Sequence, residues 1–329
     1  MKKIRAICLF MGLLLLLGSA FPAVSANTVD QSVVSGCHSP DAAMQLSNEK
    51  KLVPTAKAVI LYELKSDTLI YAWKPDQRIY PASMVKLMTA LIALERGTLS
   101  DQVTVTKRAI SNIAMGSVSA GLEVGEVLSL ESLLYCMMTA SANDAAAVIA
   151  EHIAGSQEDF VDLMNEKAQL LGCVGTHYGN VHGLHDEQTY TTARDICRIL
   201  NIALDIPQFR TFFSAETYTV PATNKSEERV IYTSNDMMRS DMKRYYDERI
   251  TGGKTGSTTQ AGRCLAVTAE GNGMEVLSIV MGAEPVYAPD GLSLITFGSY
   301  EETTDLLNYT MQNFAGRQIF YDGQVVAQY

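Results

Sequence analysis

A serine and a lysine three residues apart are the first residues of this chain whose types and spacing suggest chemistry. Ser83 and Lys86 lie in the stretch IYPASMVKLMTALIAL, residues 79–94, in which Lys86 is the single charged side chain. In a helix that begins near Ala82, the two side chains would lie one turn apart on the same face. Burial in such an apolar run lowers the pKa of a lysine and favours its neutral amine, which can accept the proton of a hydroxyl. The pair is therefore a candidate activated nucleophile.

The alternative is a core helix whose lysine extends its ammonium to water. The Ser-x-x-Lys spacing is a weak signal by itself, because it occurs twice more, at Ser47/Lys50 and Ser240/Lys243. Neither of those lies at the start of an apolar helix. Other residues are needed to decide.

Two further polar motifs follow downstream. Ser141-Ala142-Asn143 lies between two predicted helices, in a loop that could present both polar side chains to a cleft. Lys254-Thr255-Gly256 occurs once and is predicted to end a strand that leads into a hairpin. The order Ser-x-x-Lys, Ser-x-Asn, Lys-Thr-Gly is the motif set of penicillin-binding proteins and class A β-lactamases.

The elements that must position these motifs are strands, predicted near both ends of the chain, and helices, predicted mainly between them. Alternating β-branched residues and turn signals predict strands at 56–64, 68–73, 102–106, 216–220, 248–254, 263–269 and 275–281. Helical periodicity and cap residues predict helices at 82–97, 129–138, 143–154, 158–171, 192–203 and 303–314. This order is expected when one sheet is built from both termini and a helical lobe is inserted.

Composition restricts the class of protein. The chain has 329 residues, of which 47 % are hydrophobic, which is typical of a folded globular protein. A basic start, an apolar run and a small-residue site predict a secretory signal at 1–26, with an uncleaved membrane anchor as the alternative. Cys37 ends a lipoprotein-like box, but polar residues separate it from the apolar run. The net charge of −10, more negative once the basic signal is removed, argues against nucleic acid and anionic membrane surfaces as partners.

The expected organisation is a signal at 1–26, a polar lead-in at 27–50, one catalytic domain at 51–314 and a short tail at 315–329. Of six cysteines, five lie outside the signal, at Cys37, Cys136, Cys173, Cys197 and Cys264. An odd number without a Cys-x-x-Cys pair suggests neither a disulfide framework nor a zinc site. We interpret them as buried small hydrophobic residues, with a single disulfide as the alternative.

Together the motifs resemble those of the serine-type D-alanyl-D-alanine carboxypeptidases, the low-molecular-mass penicillin-binding proteins of peptidase family S11. The resemblance covers about residues 56–314 and includes SANDAA at 141–146, GNVHGLHDEQTYTTARD at 179–195 and KTGSTTQAGRCL at 254–265. It implies an α+β fold of the β-lactamase/transpeptidase type. In that fold an antiparallel sheet is flanked by helices and carries an inserted all-helical subdomain.

The resemblance implies a role for each catalytic residue. Ser83 would attack the carbonyl between two D-alanines and form an acyl-enzyme, with Lys86 as its general base. Ser141 would relay the proton to the departing amine, and Asn143 would hold the amide of the acyl chain. Lys254 would supply positive potential across the cleft.

The resemblance also implies an oxyanion hole, formed by the backbone N–H groups of Ser83 and Ser257 next to Gly256. The chain departs from the family at Ala142, where a glycine is usual. The methyl group is a mild change.

Recognition of the substrate carboxylate is expected from Thr255 and Thr258. Relatives often add an arginine after the last strand, but residues 283–302 contain neither lysine nor arginine. Arg263 is the candidate substitute.

The resemblance implies peptidoglycan stem peptides as substrate, β-lactam antibiotics as covalent inhibitors, no cofactor and a location outside the cytoplasmic membrane. His177, His182 and His185 share one loop, but that loop matches a family segment without a metal role, so no metal is expected. Asp186 and Asp195 are interpreted as structural residues.

Two other functions stay open. A class A-like β-lactamase would need a glutamate-held water in the loop 173–190, where Glu187 occurs within a segment typical of the carboxypeptidases. A non-catalytic penicillin-binding-like protein would hold peptidoglycan without cleaving it. The missing arginine keeps this reading open, whereas the intact motifs argue against it.

Overall fold

The computed structural model describes Leu52, Pro54 and residues 55–287 and 294–317. The predicted signal, the polar lead-in, Cys37 and residues 318–329 of the predicted tail lie outside the described residues. No helix in the described part of the chain combines the length and apolar character needed to cross a bilayer.

Strands and helices are numbered here in chain order. The strands are β1 (Ala58–Glu63), β2 (Thr68–Trp73), β3 (Gln102–Thr104), β4 (Val127–Ser129), β5 (Thr217–Val220), β6 (Arg229–Tyr232), β7 (Ile250–Thr258), β8 (Gly262–Gly271), β9 (Met274–Ala283), β10 (Pro285–Tyr287) and β11 (Leu294–Phe297). The helices are α1 (Val85–Arg96), α2 (Lys107–Ile110), α3 (Leu130–Met138), α4 (Asn143–Ala154), α5 (Gln157–Leu170), α6 (Ala193–Ala203), α7 (Pro207–Phe213) and α8 (Gly298–Asn313).

The main sheet is antiparallel and joins both ends of the described chain. Its five strands have the order β2-β1-β9-β8-β7. Strand β1 is buried along its whole length and pairs with β9 from Ala58↔Met281 to Glu63↔Val276. One face of the sheet packs against the helical lobe and the other against α8. The predicted α+β architecture, with helices inserted between terminal strands, is confirmed.

Local capping explains why α3 and α6 begin within one residue of their predicted starts, whereas the predicted start of the last helix at 303 is wrong, because α8 already begins at Gly298. The Ser129 side chain accepts the Ser132 N–H at the start of α3, and the Thr192 side chain accepts the Asp195 N–H at the start of α6. The lobe is not purely helical, however. It contains the ribbons β3–β4 and β5–β6, of which the sequence predicted β3 and β5 but not their partners β4 and β6.

The predicted end of β7 at residue 254 is wrong, because the strand continues to Thr258. Glycine disfavours strands, and β7 contains three glycines. Neighbours crowd all three: a Cβ on Gly252 would lie 2.7 Å from Phe213 Cδ1, one on Gly253 2.5 Å from Asn235 Nδ2, and one on Gly256 3.1 Å from Ser83 N. Lys254-Thr255-Gly256 therefore lies inside the strand, alongside Ser83.

The hairpin between β8 and β9 turns at Asn272 and Gly273. Asn272 and Gly273 both have positive φ, 49° and 76°, as a two-residue type I′ turn requires. The four cysteines in the described part of the chain are buried, as predicted, at Cys136, Cys173, Cys197 and Cys264.

Candidate active site

A tight turn before α1 presents Ser83. Ala82, Ser83 and Met84 form a single 3₁₀ turn that runs directly into α1. Pro81, with φ of −75°, precedes it, and Ala82 adopts a left-handed φ of 49°. This backbone is uncommon for alanine, and it leaves Ser83 N close to Gly256 of β7. The two backbone segments expected to form an oxyanion hole are thus adjacent.

Lys86 is fully buried and touches three oxygens. Its Nζ lies 3.0 Å from Ser83 Oγ, 2.7 Å from Asn143 Oδ1 and 2.5 Å from the His182 carbonyl oxygen. An amide oxygen and a carbonyl oxygen can only accept hydrogen bonds. A neutral amine gives its two hydrogens to these two oxygens and points its lone pair at the Ser83 hydroxyl. The contacts are those of a base ready to take a proton.

Electrostatics favour the neutral amine. Burial lowers the pKa of Lys86 well below its usual value, and the nearby positive charge of Lys254 lowers it further. The carboxylate of Asp144 opposes these effects without cancelling them. A pKa displaced by burial and a like charge is typical of catalytic lysines.

Lys254 lies across the cleft and is also buried. Its Nζ donates to Ser141 Oγ at 2.8 Å and to the Thr255 carbonyl oxygen at 2.9 Å. Burial lowers the pKa of Lys254 to about 7. Ser141 has a left-handed φ of 64°, which lets it face Lys254 while α4 begins two residues later at Asn143. The structure thus brings together the five residues predicted to be catalytic.

The predicted substrate-binding residues occupy different parts of β7 and β8. The hydroxyls of Thr255 and Ser234 lie 2.6 Å apart, and Thr258 Oγ1 accepts the Ala261 N–H. Ser257 is exposed and pairs in register with Arg263. The Arg263 guanidinium lies over the Phe297 ring, 4.0 Å from its centroid.

Sequence reasoning missed the residues that hold the catalytic groups in place. Asn180 Oδ1 accepts the N–H groups of His182 and Gly183, which aims the His182 carbonyl at Lys86. Asp144 is buried, and its carboxylate accepts hydrogen bonds from Ser119 Oγ, Ala120 N and Leu122 N. Both residues lie in the segments that carry the family resemblance, which is the only sequence signal they have.

The three histidines of the 173–190 loop make separate contacts. His177 Nδ1 lies 2.8 Å from the Gln188 carbonyl oxygen, and the His185 ring packs edge-on against Tyr80. Burial, with Lys86 nearby, lowers the pKa of His182 to about 3, so this ring is neutral. In the described ranges, His, Cys, Asp and Glu side chains form no group of three or more that could hold a metal.

This fold and site define the class of serine enzymes to which the penicillin-binding proteins belong. Among solved structures, the chain is similar to penicillin-binding protein 6B from Escherichia coli, with a TM-score of 0.70 and 26 % identity over 85 % of this chain and 84 % of that one. It is also similar to the DD-transpeptidase of Streptomyces K15, with a TM-score of 0.69 and 25 % identity over 79 % of this chain and 98 % of that one.

Sequence comparison identifies the family. Residues 45–285 match the peptidase S11 family model, described as D-alanyl-D-alanine carboxypeptidase, and the chain belongs to this family of serine peptidases. A curated relative, D-alanyl-D-alanine carboxypeptidase DacA of Haemophilus influenzae, is 29 % identical over 281 residues. The match covers 83 % of this chain and 66 % of the relative's length.

Proposed function

We propose that this chain removes the terminal D-alanine from peptidoglycan stem pentapeptides through an acyl-enzyme on Ser83, and that penicillins acylate the same serine. The observation that carries the proposal is the environment of Lys86. Its Nζ is buried and lies 2.7 Å from Asn143 Oδ1, 2.5 Å from the His182 carbonyl oxygen and 3.0 Å from Ser83 Oγ, so a neutral amine that donates to the first two oxygens has its lone pair free for the Ser83 proton. Membership of the carboxypeptidase family supports the choice of substrate.

Acylation follows from these contacts. Ser83 Oγ attacks the carbonyl carbon between the two D-alanines while Lys86 takes the hydroxyl proton. The negative charge that develops on the carbonyl oxygen is stabilised by the N–H groups of Ser83 and Ser257. When the C–N bond breaks, the departing amine receives a proton from Ser141 Oγ, which lies 2.8 Å from Lys254 Nζ, and the proton taken by Lys86 passes to Ser141, so that both groups regain their starting states. Asn143 holds the amide of the acyl chain.

Deacylation uses the same base. A water molecule takes the place of the departed D-alanine and attacks the ester, giving a proton to Lys86. The ester bond to Ser83 Oγ breaks, and Ser83 recovers a proton as the shortened peptide leaves. The base is thus returned to its neutral state.

We assign the substrate carboxylate to the Lys254 end of the cleft. The Thr255 and Ser234 hydroxyls form one hydrogen bond with each other, which leaves one hydroxyl proton for the carboxylate. Thr258, predicted for this role, lies four residues beyond Lys254 on the same strand, so we leave it out of the carboxylate site. Arg263 would have to leave the Phe297 ring to take part.

The β-lactamase reading has less support. Class A enzymes deacylate with a water held by a buried glutamate, whereas the Glu187 side chain is exposed. The non-catalytic reading conflicts with the complete set of contacts between Ser83, Lys86, Asn143, Ser141 and Lys254. We also propose that the protein acts outside the cytoplasmic membrane, where peptidoglycan lies.

Covalent labelling with a fluorescent penicillin tests the nucleophile. We expect the purified protein to be labelled and Ser83→Ala to abolish the label. Ser240→Ala is the matched control, because it removes the serine of another Ser-x-x-Lys sequence that is exposed and outside any helix. An unlabelled wild-type protein would contradict both enzymatic readings.

A paired turnover assay separates the enzymatic readings. Release of D-alanine from a peptide ending in D-Ala-D-Ala, with slow turnover of penicillin, supports the carboxypeptidase. Rapid penicillin hydrolysis without D-alanine release would instead identify a β-lactamase.

A further inference from the structure

Thr89 is a fully buried threonine in the middle of α1, three residues after Lys86. Side chains at this spacing are neighbours on one face of a helix, so Thr89 lies beside the lysine. Threonine is a poor helix former, because its branched side chain is restricted and its hydroxyl competes with the backbone for hydrogen bonds. The roles proposed above leave Thr89 unused, and the contact of its hydroxyl indicates what it does.

The hydroxyl of Thr89 bonds outside its own helix. A buried threonine in a helix commonly donates to the carbonyl four residues earlier. Here the Val85 carbonyl oxygen lies 3.5 Å from Thr89 Oγ1, whereas the Val181 carbonyl oxygen lies only 2.7 Å away. A hydroxyl has one proton to donate, so the shorter contact to Val181 receives it. Thr89 thus ties α1 to the loop that runs past Lys86.

The Val181 carbonyl belongs to a peptide plane that is held on both sides. A peptide unit is planar and rigid, and its C=O and N–H point in opposite directions. The carbonyl of this plane accepts the Thr89 proton, and its N–H, from His182, donates to Asn180 Oδ1 at 3.2 Å. Thr89 and Asn180 therefore fix the orientation of the plane between them.

The next peptide plane carries the acceptor of Lys86. Its carbonyl, from His182, lies 2.5 Å from Lys86 Nζ. Its N–H, from Gly183, donates to the same Asn180 Oδ1 at 2.7 Å. Only two bonds between consecutive planes rotate, so fixing the first plane restricts where the second can point. The Thr89 hydroxyl thus limits the position of the carbonyl that Lys86 contacts.

We propose that Thr89 is a positioning residue for Lys86, which it serves by holding the loop backbone so that the His182 carbonyl stays in contact with the amine. A neutral amine that donates to this carbonyl and to Asn143 has its lone pair free for the Ser83 proton. When the carbonyl is displaced, the amine turns and this alignment is lost. The inference rests on the proposed role of Lys86 as the base, and it adds a third functional side chain to the stretch that contains Ser83.

Three substitutions of Thr89 separate its hydroxyl from its methyl group. Thr89→Val keeps the shape and loses the hydroxyl, Thr89→Ser keeps the hydroxyl and loses the methyl group, and Thr89→Ala loses both. We expect the acylation rate constant to fall about 10- to 100-fold in Thr89→Val, to be largely retained in Thr89→Ser, and to be lower in Thr89→Ala than in Thr89→Ser by a similar factor. A packing role predicts the reverse order, with Thr89→Val the most active, and that result would overturn the proposal.

Stopped-flow labelling over a range of fluorescent-penicillin concentrations separates the acylation rate constant from the dissociation constant of the complex that precedes it. The loss should lie in the rate constant, because the buried Thr89 acts on the base and not on the bound penicillin. A loss confined to the dissociation constant contradicts the positioning role. Denaturant unfolding checks that each variant is folded under the assay conditions. If Thr89→Val is not, the comparison of Thr89→Ser with Thr89→Ala decides the outcome.

Thr310→Val is the matched control. Thr310 is also a fully buried threonine in a helix, α8, but its hydroxyl donates to the Leu306 carbonyl oxygen of the same helix at 2.8 Å. We expect Thr310→Val to acylate at the wild-type rate. A loss equal to that of Thr89→Val would show that any buried helix hydroxyl has this effect, and the assignment to the 181–183 backbone would be wrong.

The pKa of Lys86 gives a readout that does not depend on catalysis. It is measured by NMR of protein labelled with ε-¹³C lysine, in which the Lys86 signal is the one absent from Lys86→Met. The carbonyl oxygen stabilises an ammonium more than an amine, so Thr89→Val should lower this pKa by about one pH unit, whereas Thr89→Ser should not. Lys254 and Asp144, the charged groups that act on Lys86, are the same in all variants.

The two measurements distinguish the inference from the proposed function. A Lys86 pKa that Thr89→Val leaves unchanged overturns the positioning role, whatever the labelling shows. A wild-type protein that penicillin does not label contradicts the proposed function instead, and the positioning of the Lys86 amine is then decided by its pKa alone.

Discussion

Gly183 packs so closely against the Ala82 carbonyl that a Cβ on Gly183 would fall 1.9 Å from that oxygen. Its φ of 86° is one that residues other than glycine rarely adopt. The neighbouring residue, His182, binds Lys86 through its carbonyl oxygen. One short loop therefore fixes both the backbone before Ser83 and the amine proposed to activate it.

Gly183→Ala should inactivate the enzyme. The added methyl group has no space, so the turn that carries Ser83 must shift, and a shift of about 1 Å can cost about 10²-fold in rate. We expect the rate constant for penicillin acylation to fall at least that much, and stability by about 3 kcal/mol from strain and overpacking. Stopped-flow labelling and denaturant unfolding measure the two effects.

Gly155→Ala is a control that separates the backbone strain of a positive φ from the close contact with Ala82. Gly155 has nearly the same φ, 85°, but a Cβ there would meet no atom within 4 Å. It should cost about 1 kcal/mol of stability and leave acylation near the wild-type rate. Similar acylation rates in the two variants would show that the contact with Ala82 does not matter.

The pKa of Lys254, about 7, predicts an alkaline decline in acylation. Below that pH the side chain is an ammonium that attracts the substrate carboxylate, and as pH rises through 7 the charge is lost. The second-order rate constant for penicillin labelling reports the free enzyme, and we expect it to fall between pH 7 and 9.

Lys254→Arg should remove this decline, because a guanidinium stays charged at these pH values. The comparison between this variant and the wild type uses the shape of the pH–rate profile, because the larger arginine side chain is expected to lower the absolute rate of labelling. A variant whose rate declines in parallel with the wild type would assign the titration to another group.

The buried amine of Lys86 should make stability depend on pH. Its pKa is lowered in the folded protein, so between the folded value and about 10.4 the unfolded chain binds a proton that the folded chain does not. The free energy of unfolding therefore rises with pH, by up to about 1.4 kcal/mol per unit for this group.

Lys86→Met removes that group. Relative to this variant, the wild type should gain about 1 kcal/mol per pH unit between pH 8 and 10 in denaturant unfolding. Lys65→Met, at an exposed turn lysine, is the control. Parallel curves for wild type and Lys86→Met would rule out the depressed pKa.

Asp144→Ala should be strongly destabilising. The change leaves Ala120 N, Leu122 N and Ser119 Oγ without their buried acceptor, for an expected loss of about 2–4 kcal/mol. Acylation should slow as well, because the same loop contributes the Val118 carbonyl that accepts the Asn143 N–H. Thermal unfolding and penicillin labelling measure both.

Asp159→Ala is the matched control for Asp144→Ala. Asp159 also lies in the first turn of a helix, α5, but its side chain is exposed. It should cost less than about 1 kcal/mol. If Asp159→Ala lost as much stability as Asp144→Ala, the negative charge at the helix start, and not the hydrogen bonds to the 119–122 loop, would be the main source of the stabilisation.

Long elements of the fold could be predicted from the sequence because local signals agree with the packing. The helices α3 and α4 begin within one residue of their predicted starts, where Ser129 caps the first and Asn143 opens the second. Short elements such as β6 and α7, with four and seven residues, offer few residues over which a period can be recognised and were missed. The predicted strand β7 was too short because its glycines are required by packing against residues distant in sequence, namely Asn235 and Ser83.

The residues of the site also fall into two groups, those that could be predicted from the sequence and those that could not. Ser83, Lys86, Ser141, Asn143 and Lys254 could be predicted because their side-chain types carry the chemistry. The His182 carbonyl could not, because every residue has a backbone carbonyl and only the fold determines where it points. Ser234 was missed for a related reason, since an isolated serine is common and its contact with Thr255 depends on tertiary structure.

The pairing of β1 with β9 determines when activity can appear during folding. Ala58 and Met281 pair in register on neighbouring strands, yet all three motifs lie between them in the chain. Contacts so distant in sequence form late and slow the folding of a domain. A nascent or truncated chain that lacks β9 would therefore contain every catalytic residue and still be unable to react with penicillin. Covalent labelling of this protein thus reports completed folding as well as catalysis.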